Sequence, residues 1–253
     1  MLSDYVIVAV AGVLAGAVNA IAGGGTLISF PALLAVGVPA VTANITSSVG
    51  LVTGYLGGAV GYRRELAGQG DRMRALAVVA IAGGVLGAVL LLVTPADSFR
   101  TVVPYLVLLS CLLLAVQPWL ARWVADRRAE SGRAVGLSPV VHAGVFVAAI
   151  YGSYFGAGLG VLLLGVLGTL VVDSLQRLNG LKTVLAFAVN LVGVLIFLVS
   201  GQVAWLFAAI LVVCSYAGGL LGARVARLLS AVVLRFGVVV LGVVVAIVLI
   251  VTS

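Results

Sequence analysis

Hydrophobic and polar positions along the chain alternate in long blocks. Apolar runs of membrane-spanning length are punctuated by short polar or glycine-rich stretches. The runs predict helices at about 5–21, 43–61, 74–93 and 101–120, then at about 138–155, 178–199, 203–222 and 233–251. Two shorter apolar segments, 26–36 and 161–172, each follow a glycine-rich stretch. At about 1.5 Å per residue they reach only about half of the ~30 Å hydrocarbon layer. The ten-residue alternation of a membrane β-barrel is absent.

The pattern is written twice. Ala82–Ala88, "AGGVLGA", recurs as Ala217–Ala223, "AGGLLGA", at an offset of 135. The same offset carries Ala22, Gly23 and Gly25 onto Ala157, Gly158 and Gly160. It also carries Asn44 onto Asn179, Gly58 onto Gly193 and Arg100 onto Arg235, with no gap needed between positions 22 and 100. A fixed offset that also pairs an Asn and an Arg is not the self-similarity of Gly/Ala-rich sequence. Each half holds an opening segment, a glycine break, a short segment and three longer helices. Repeat 1 covers about 5–121, a central loop about 122–137 and repeat 2 about 138–253, within one transmembrane domain spanning 1–253.

Composition strengthens this reading. The chain is 64% hydrophobic and 8% charged, which points to an all-α polytopic membrane protein without a soluble domain. The opening apolar run is preceded by Asp4 and by no Lys or Arg, so it is read as part of the mature protein rather than a secretory signal. Cys111 and Cys214 lie inside apolar runs as small packing residues.

The net charge of +7 is no sign of a nucleic-acid partner, because the basic residues sort by loop. Arg63, Arg64, Arg72 and Arg74 follow one long helix. Arg122, Arg127, Arg128 and Arg133 fill the central loop, and Arg224, Arg227 and Arg235 lie between the last two helices. The loops at 94–100 and 200–202 hold only Arg100. The positive-inside rule puts the rich loops in the cytoplasm. Both termini then fall outside, Arg177 and Lys182 fall inside, and 13 of the 14 basic residues are cytoplasmic. The second half thus starts on the opposite side from the first. The expected architecture is two inverted-topology repeats, each a Gly-broken short-helix hairpin plus three long helices, in the plasma membrane. The short segments either re-enter or complete a crossing. A homo-oligomer is compatible with the sequence and not required by it.

In inverted-repeat transporters substrate lies near the midplane among broken helices. "AGGGT" (Ala22–Thr26) and "GAGLG" (Gly156–Gly160) hold matching places, each just before a short helix. A helix N-terminus offers unpaired N–H groups and about half a positive charge, and glycine lets an anion approach that backbone. Gly23, Gly24, Gly25 and Thr26, with Gly156, Gly158 and Gly160, are therefore candidates for an anion site. Gly54, Gly58, Gly83, Gly84, Gly87, Gly218, Gly219 and Gly222 read instead as close helix packing.

Polar side chains add Asn44 and Ser47 of "TANITSS" and Asn179 and Lys182 of "RLNGLKT", with Asn19, Tyr151, Tyr154 and Asn190 inside other apolar runs. The hydroxyls could equally cap helices or bond a carbonyl one turn back. Lys182 is the one lysine in the chain and shares a helix face with Asn179. It reads either as a snorkelling anchor or as the positive side chain of the site. His142 reads as an interfacial residue.

"GAVNAIAGGGTLISFPALLAVGVPAVTANITSS" (16–48), "GYRREL" (61–66), "LNGLKTVLAFAVNLVGVLIFLVSGQVAW" (178–205) and "AGGLLGARVARLL" (217–229) together resemble the TauE/SafE sulfite exporter family, in order and over essentially the whole chain. The resemblance implies two repeated halves and the movement of sulfite, sulfonates and related sulfur-containing anions across the plasma membrane. The second half departs from the family pattern. Its "GAGLGVLLLGVLG" has fewer adjacent glycines and no proline, so the resemblance bears more heavily on the first hairpin.

The leading expectation is a secondary transporter of small anions, with no cofactor and no metal. A passive anion channel of the same parts is a second reading. A membrane-embedded enzyme fares poorly. There is one His, no HExxH and no pair of acids inside a span, which leaves only a Ser47/Lys182 dyad, and no catalytic residue is assigned. Proton-coupled carriers usually place an acid or His in the bundle, and Asp173 is the nearest such group.

Overall fold

The computed structural model describes residues 2–21, 24–130, 138–171, 173–225 and 231–252. Ten α-helices and no strand are found among the described residues. They are α1 (Leu2–Ile21), α2 (Thr26–Ala35), α3 (Ala40–Gly61), α4 (Gly70–Val93), α5 (Ala96–Glu130), α6 (Pro139–Tyr154), α7 (Leu159–Leu170), α8 (Leu175–Leu198), α9 (Trp205–Val225) and α10 (Ala231–Thr252). Among the described residues, four stretches are long and apolar enough to cross a membrane: Leu2–Asn19, Gly70–Val93, Ala96–Trp123 and Leu175–Leu198. Val78, Leu112, Val147, Val213 and Ile247 stand exposed on five different helices, as lipid-facing side chains would.

Helix bounds follow local chemistry. Pro139 opens α6 at a position where its missing N–H costs nothing. The Ser174 hydroxyl caps α8 by accepting from the Arg177 amide at 3.2 Å. Gly37, Gly68 and Gly201 take positive φ in the connections. One element differs from expectation. Residues 122–130, expected in the central loop, continue α5 to Glu130. "ARWVADRRAE" holds no glycine or proline and is rich in good helix formers, so nothing stops the helix where the apolar run ends.

The packing separates into two buried clusters. One surrounds α2, with Leu27, Phe30 and Leu33 at its centre. The other surrounds α7, with Leu159, Leu163 and Leu167. The most extensive helix contacts are α1 on α9 and α4 on α6, followed by α3 on α9 and α4 on α8. Further, α2 lies against α1, α3 and α10, as α7 lies against α6, α8 and α5. Phe30 of α2 meets Phe155 edge to face within the first cluster, with ring centroids 5.6 Å apart.

Lipid gives helices no hydrophobic reason to associate, so close backbone approach has to supply the attraction. A Cβ built at Gly83 would lie 2.9 Å from Ala149 Cβ, and one at Gly84 2.8 Å from Val192 Cγ1. Gly87 packs on the Ile150 carbonyl and Gly218 on the Val13 backbone. Gly219 faces Gly16, and Gly54 faces Asn19. The surroundings of Gly58 and Gly222 lie outside the described side chains. Cys111 and Cys214 are free thiols at helix contacts, beside Gly242 and Gly12 respectively.

A polar clasp joins the α3–α4 turn to the start of α8. Asp173 pairs with Arg72 at 2.8 Å and with Arg177 at 3.1 Å. Gln69 Nε2 donates to the Arg177 carbonyl at 3.2 Å, and Arg177 Nη1 donates to the Ala67 carbonyl at 3.1 Å. Burial alone would raise the Asp173 pKa. The Ser174 amide, the Arg177 guanidinium and Arg72 outweigh it and hold the carboxyl below its ordinary range. His142 Nδ1 lies 3.0 Å from the Ser138 carbonyl, one turn back at the start of α6.

Two outcomes test this packing. Gly87→Leu forces a side chain into the α6 backbone and should cost at least about 1–3 kcal/mol of stability, read as a lower melting temperature in detergent. Unchanged melting would show that α4 and α6 are not held by this approach. The Asp173 clasp stabilises the fold while its carboxylate is ionised, and that contribution is lost as pH falls below the ordinary carboxylate range. Asp173→Asn should therefore lower stability by about 1 kcal/mol at pH 7 and blunt the acid-side loss seen in the wild type. Identical acid profiles would refute the clasp.

Candidate functional site

Both helix breaks end on the same space. A cavity of about 230 Å³ is lined by Gly24 from the first break and by Gly156, Gly158 and Gly160 from the second. Asn19 of α1 and Asn179, Lys182 and Thr183 of α8 complete its polar lining, together with Tyr55, Tyr62 and Gln117. Gly24, Gly156 and Gly158 have φ of 110°, 84° and 82°, values that L side chains rarely adopt. The backbone can therefore turn out of α1 and α6 and enter α2 and α7 within four residues.

The first turns of α2 and α7 are held by their own caps. Leu27 N–H bonds the Gly24 carbonyl at 2.9 Å, and Val161 N–H bonds the Gly158 carbonyl at 3.0 Å. Side chains then pin the breaks from outside. Ser110 on α5 donates to the Ala157 carbonyl at 3.1 Å and lies 2.7 Å from the Tyr151 hydroxyl. Asn44 Nδ2 donates to the Tyr154 carbonyl at 2.8 Å.

Lys182 is the one cationic side chain among the cavity's lining residues, which include no acid. Its ammonium donates to Asn179 Oδ1 at 3.0 Å, so the shared helix face expected from the i, i+3 spacing brings the two side chains into contact. A Cβ at Gly160 would sit 3.8 Å from Lys182 Cδ, in ordinary van der Waals contact with the lysine stem. Gln117 Oε1 is buried with no hydrogen-bond partner. The cavity thus offers a positive charge, the N-terminus of α7, amides and phenols, a set suited to a small anion.

The sequence candidates divide between two places. Asn19, Gly24, Gly156, Gly158, Gly160, Asn179 and Lys182 line the cavity. Gly25, Thr26, Asn44, Ser47 and Tyr154 are not among its lining residues. Gly25 abuts the Ala15 carbonyl. Ser47 bonds Ser29 of α2, so Ser47 and Lys182 have different partners. The Tyr154 hydroxyl donates to Thr94 at 3.3 Å. Gly23 lies outside the described residues. Asn190 Nδ2 bonds the Ala186 carbonyl one turn back, at 2.9 Å.

Tyr55, Tyr62 and Gln117 were not anticipated. Only Gln117 carried a sequence signal, as a lone amide before Pro118 near the end of an apolar run.

The family model for sulfite exporter TauE/SafE matches residues 8–249. Among curated proteins, the chain is similar to the probable membrane transporter protein YfcA of Escherichia coli strain K12, 28% identical over 212 residues, which cover 83% of this chain and 76% of the relative. A probable membrane transporter protein of Haemophilus influenzae is 28% identical over 216 residues, covering 84% and 81% of the two chains. The probable membrane transporter protein ORF9 of a Sinorhizobium species is 26% identical over 228 residues, covering 89% and 84%. No solved structure matches the chain significantly. With a family match that spans nearly its full length and relatives named as membrane transporters, the chain belongs to the TauE/SafE sulfite exporter family of membrane transporters.

Proposed function

We propose that the protein is a secondary transporter of small, sulfur-containing anions such as sulfite or organosulfonates, across the plasma membrane. The observation that carries this reading is the convergence of Gly24, Gly156, Gly158, Gly160 and Lys182 on one cavity. A sulfonate or sulfite oxygen set can accept from the first amides of α7 while its charge faces the Lys182 ammonium. Tyr55, Tyr62 and Gln117 supply further polar contacts around it. Asn179 orients the lysine, whose flexible stem can follow a moving substrate.

The transport cycle rests on an inverted repeat, in which one half rocks against the other around a fixed site. The helix contacts support the repeat. Exchanging α1–α5 with α6–α10 turns the α1–α9 contact into α6–α4, and α3–α9 into α8–α4. The same exchange turns the α2 neighbours α1, α3 and α10 into the α7 neighbours α6, α8 and α5. The 135-residue offset and the arginine distribution support the inversion. Both termini then face outward, and residues 1–253 act as one transport domain. A passive channel would use the same cavity, and saturable, gradient-driven flux separates the carrier from it.

Proteoliposomes offered sulfite, sulfate, thiosulfate, taurine, sulfoacetate and chloride should accumulate at least one sulfur-containing anion saturably. Movement of none of them under any imposed gradient would remove the transporter reading. Gly24→Leu should abolish that uptake while leaving a monodisperse protein, because a side chain there fills the approach to α2 and forces an unfavourable φ. Full uptake by this variant would make the glycines mere spacers. For orientation, cysteines at Ser3 and Ser98 should react with an impermeant thiol reagent on intact cells, and one replacing Arg128 should not. The reverse pattern would invert the topology.

A further inference from the structure

The 135-residue offset pairs Asn44 with Asn179, Ser47 with Lys182 and Ser48 with Thr183. The paired hydroxyls behave alike. Ser48 Oγ donates to the Asn44 carbonyl at 3.0 Å, and Thr183 Oγ1 donates to the Asn179 carbonyl at 2.7 Å. The paired amides do not. Asn179 Oδ1 accepts the Lys182 ammonium, whereas Asn44 Oδ1 is buried with no hydrogen-bond partner. Asn44 is 1% exposed, and its orientation is fixed because Nδ2 donates to the Tyr154 carbonyl. A flipped amide would set oxygen against oxygen. A positive charge therefore sits on the amide oxygen of the second half, and the matching oxygen of the first half is left bare.

The helix end that Asn44 holds through its Nδ2 is rich in oxygens. Tyr154 ends α6, so the carbonyls near it belong to the negative end of a helix. A Cβ built at Gly156 would lie 3.6 Å from the Gly152 carbonyl oxygen, 3.7 Å from Thr26 Oγ1 and 4.0 Å from Ser48 Oγ. Gly156, at φ 84°, thus keeps a side chain out of a space edged by hydroxyl and carbonyl oxygens. Among the described residues no three His, Cys, Asp or Glu side chains gather, so a divalent or soft metal has no matching ligands there. Neutral oxygens at a broken helix end suit a small monovalent cation.

We propose that Asn44, Thr26, Ser48 and the carbonyls at the end of α6 form a sodium-ion site. The ion holds, in the first half, the place that the Lys182 ammonium holds in the second. Gly156 borders both this place and the anion cavity. A sodium ion here lowers the cost of bringing an anion into the bundle and couples the two fluxes. The coupling rests on the transporter reading above; the binding of sodium does not.

The first test needs no anion substrate and no variant. Purified full-length protein in detergent is melted while sodium chloride replaces choline chloride at constant total salt. Sodium should raise the melting temperature saturably by a few degrees, and potassium should do so much less. No shift, or equal shifts with all three cations, would overturn the site. Thr26→Val and Ser48→Ala should each raise the half-saturating sodium concentration about tenfold, the loss of one such ligand's bond. Unchanged half-saturation in both would remove the site from this location. In proteoliposomes an inward sodium gradient should accelerate anion uptake. Uptake indifferent to sodium, with the sodium shift intact, would overturn the coupling. A sodium shift without any anion flux would uphold the site while the transporter reading fails.

Discussion

A helix interrupted inside a bilayer leaves amides and carbonyls that no solvent can satisfy. The rest of this structure depends on how that cost is met at the two breaks. The Ser110 hydroxyl covers the Ala157 carbonyl, and the Asn44 amide covers the Tyr154 carbonyl. Ser29 reaches back to the Gly25 carbonyl at 3.3 Å. Each of these donor side chains is itself buried. The breaks are thus supported by the bundle, and Gly24, Gly156 and Gly158 of the breaks line the cavity. The same feature that would be a defect in a packed helix becomes a place where backbone polarity is available to a ligand.

Support of that kind demands close helix approach, and the glycines supply it in two different ways. Gly83, Gly84 and Gly87 remove side chains so that α4 can lie on α6 and α8. Gly24, Gly156 and Gly158 supply backbone angles, letting the chain leave one helix and start another. Lys182 then stands against Gly160 with its ammonium bonded to the Asn179 amide oxygen. An ammonium in such a place is costly without a counter-charge, so an incoming anion gains what the empty cavity lacks. The bond of its head to Asn179 beside the cavity supports a binding role over a snorkelling anchor.

Much of the fold was legible because punctuation and hydropathy agree. Glycine, proline and arginine mark nearly every helix end, and the repeat supplies an internal check on each boundary. The overrun of α5 to Glu130 escaped because hydropathy reports where lipid ends, whereas a helix ends where propensity or a breaker stops it. At the site, the glycine breaks and the Asn179–Lys182 face were readable from spacing. Tyr55 and Tyr62 were not, since an aromatic in an apolar run has no pattern that distinguishes lining from packing. The separation of Asn44 and Ser47 from the Lys182 cavity has a geometric reason. Residues matched by a repeat meet only at the axis that relates the halves, and elsewhere they make two places. Sequence equivalence paired Asn44 with Asn179 without telling whether the two share a cavity.

The most direct measurement of the central claim is calorimetric titration of sulfite and of sulfoacetate into purified wild-type protein and into Lys182→Gln at equal melting temperature. If the two helix breaks and Lys182 form one anion site, the wild type binds at least one of these anions saturably and the variant binds it about tenfold or more weakly, the loss expected for one charge-assisted hydrogen bond. Equal affinity in the two proteins would contradict the claim and return Lys182 to the role of a membrane anchor.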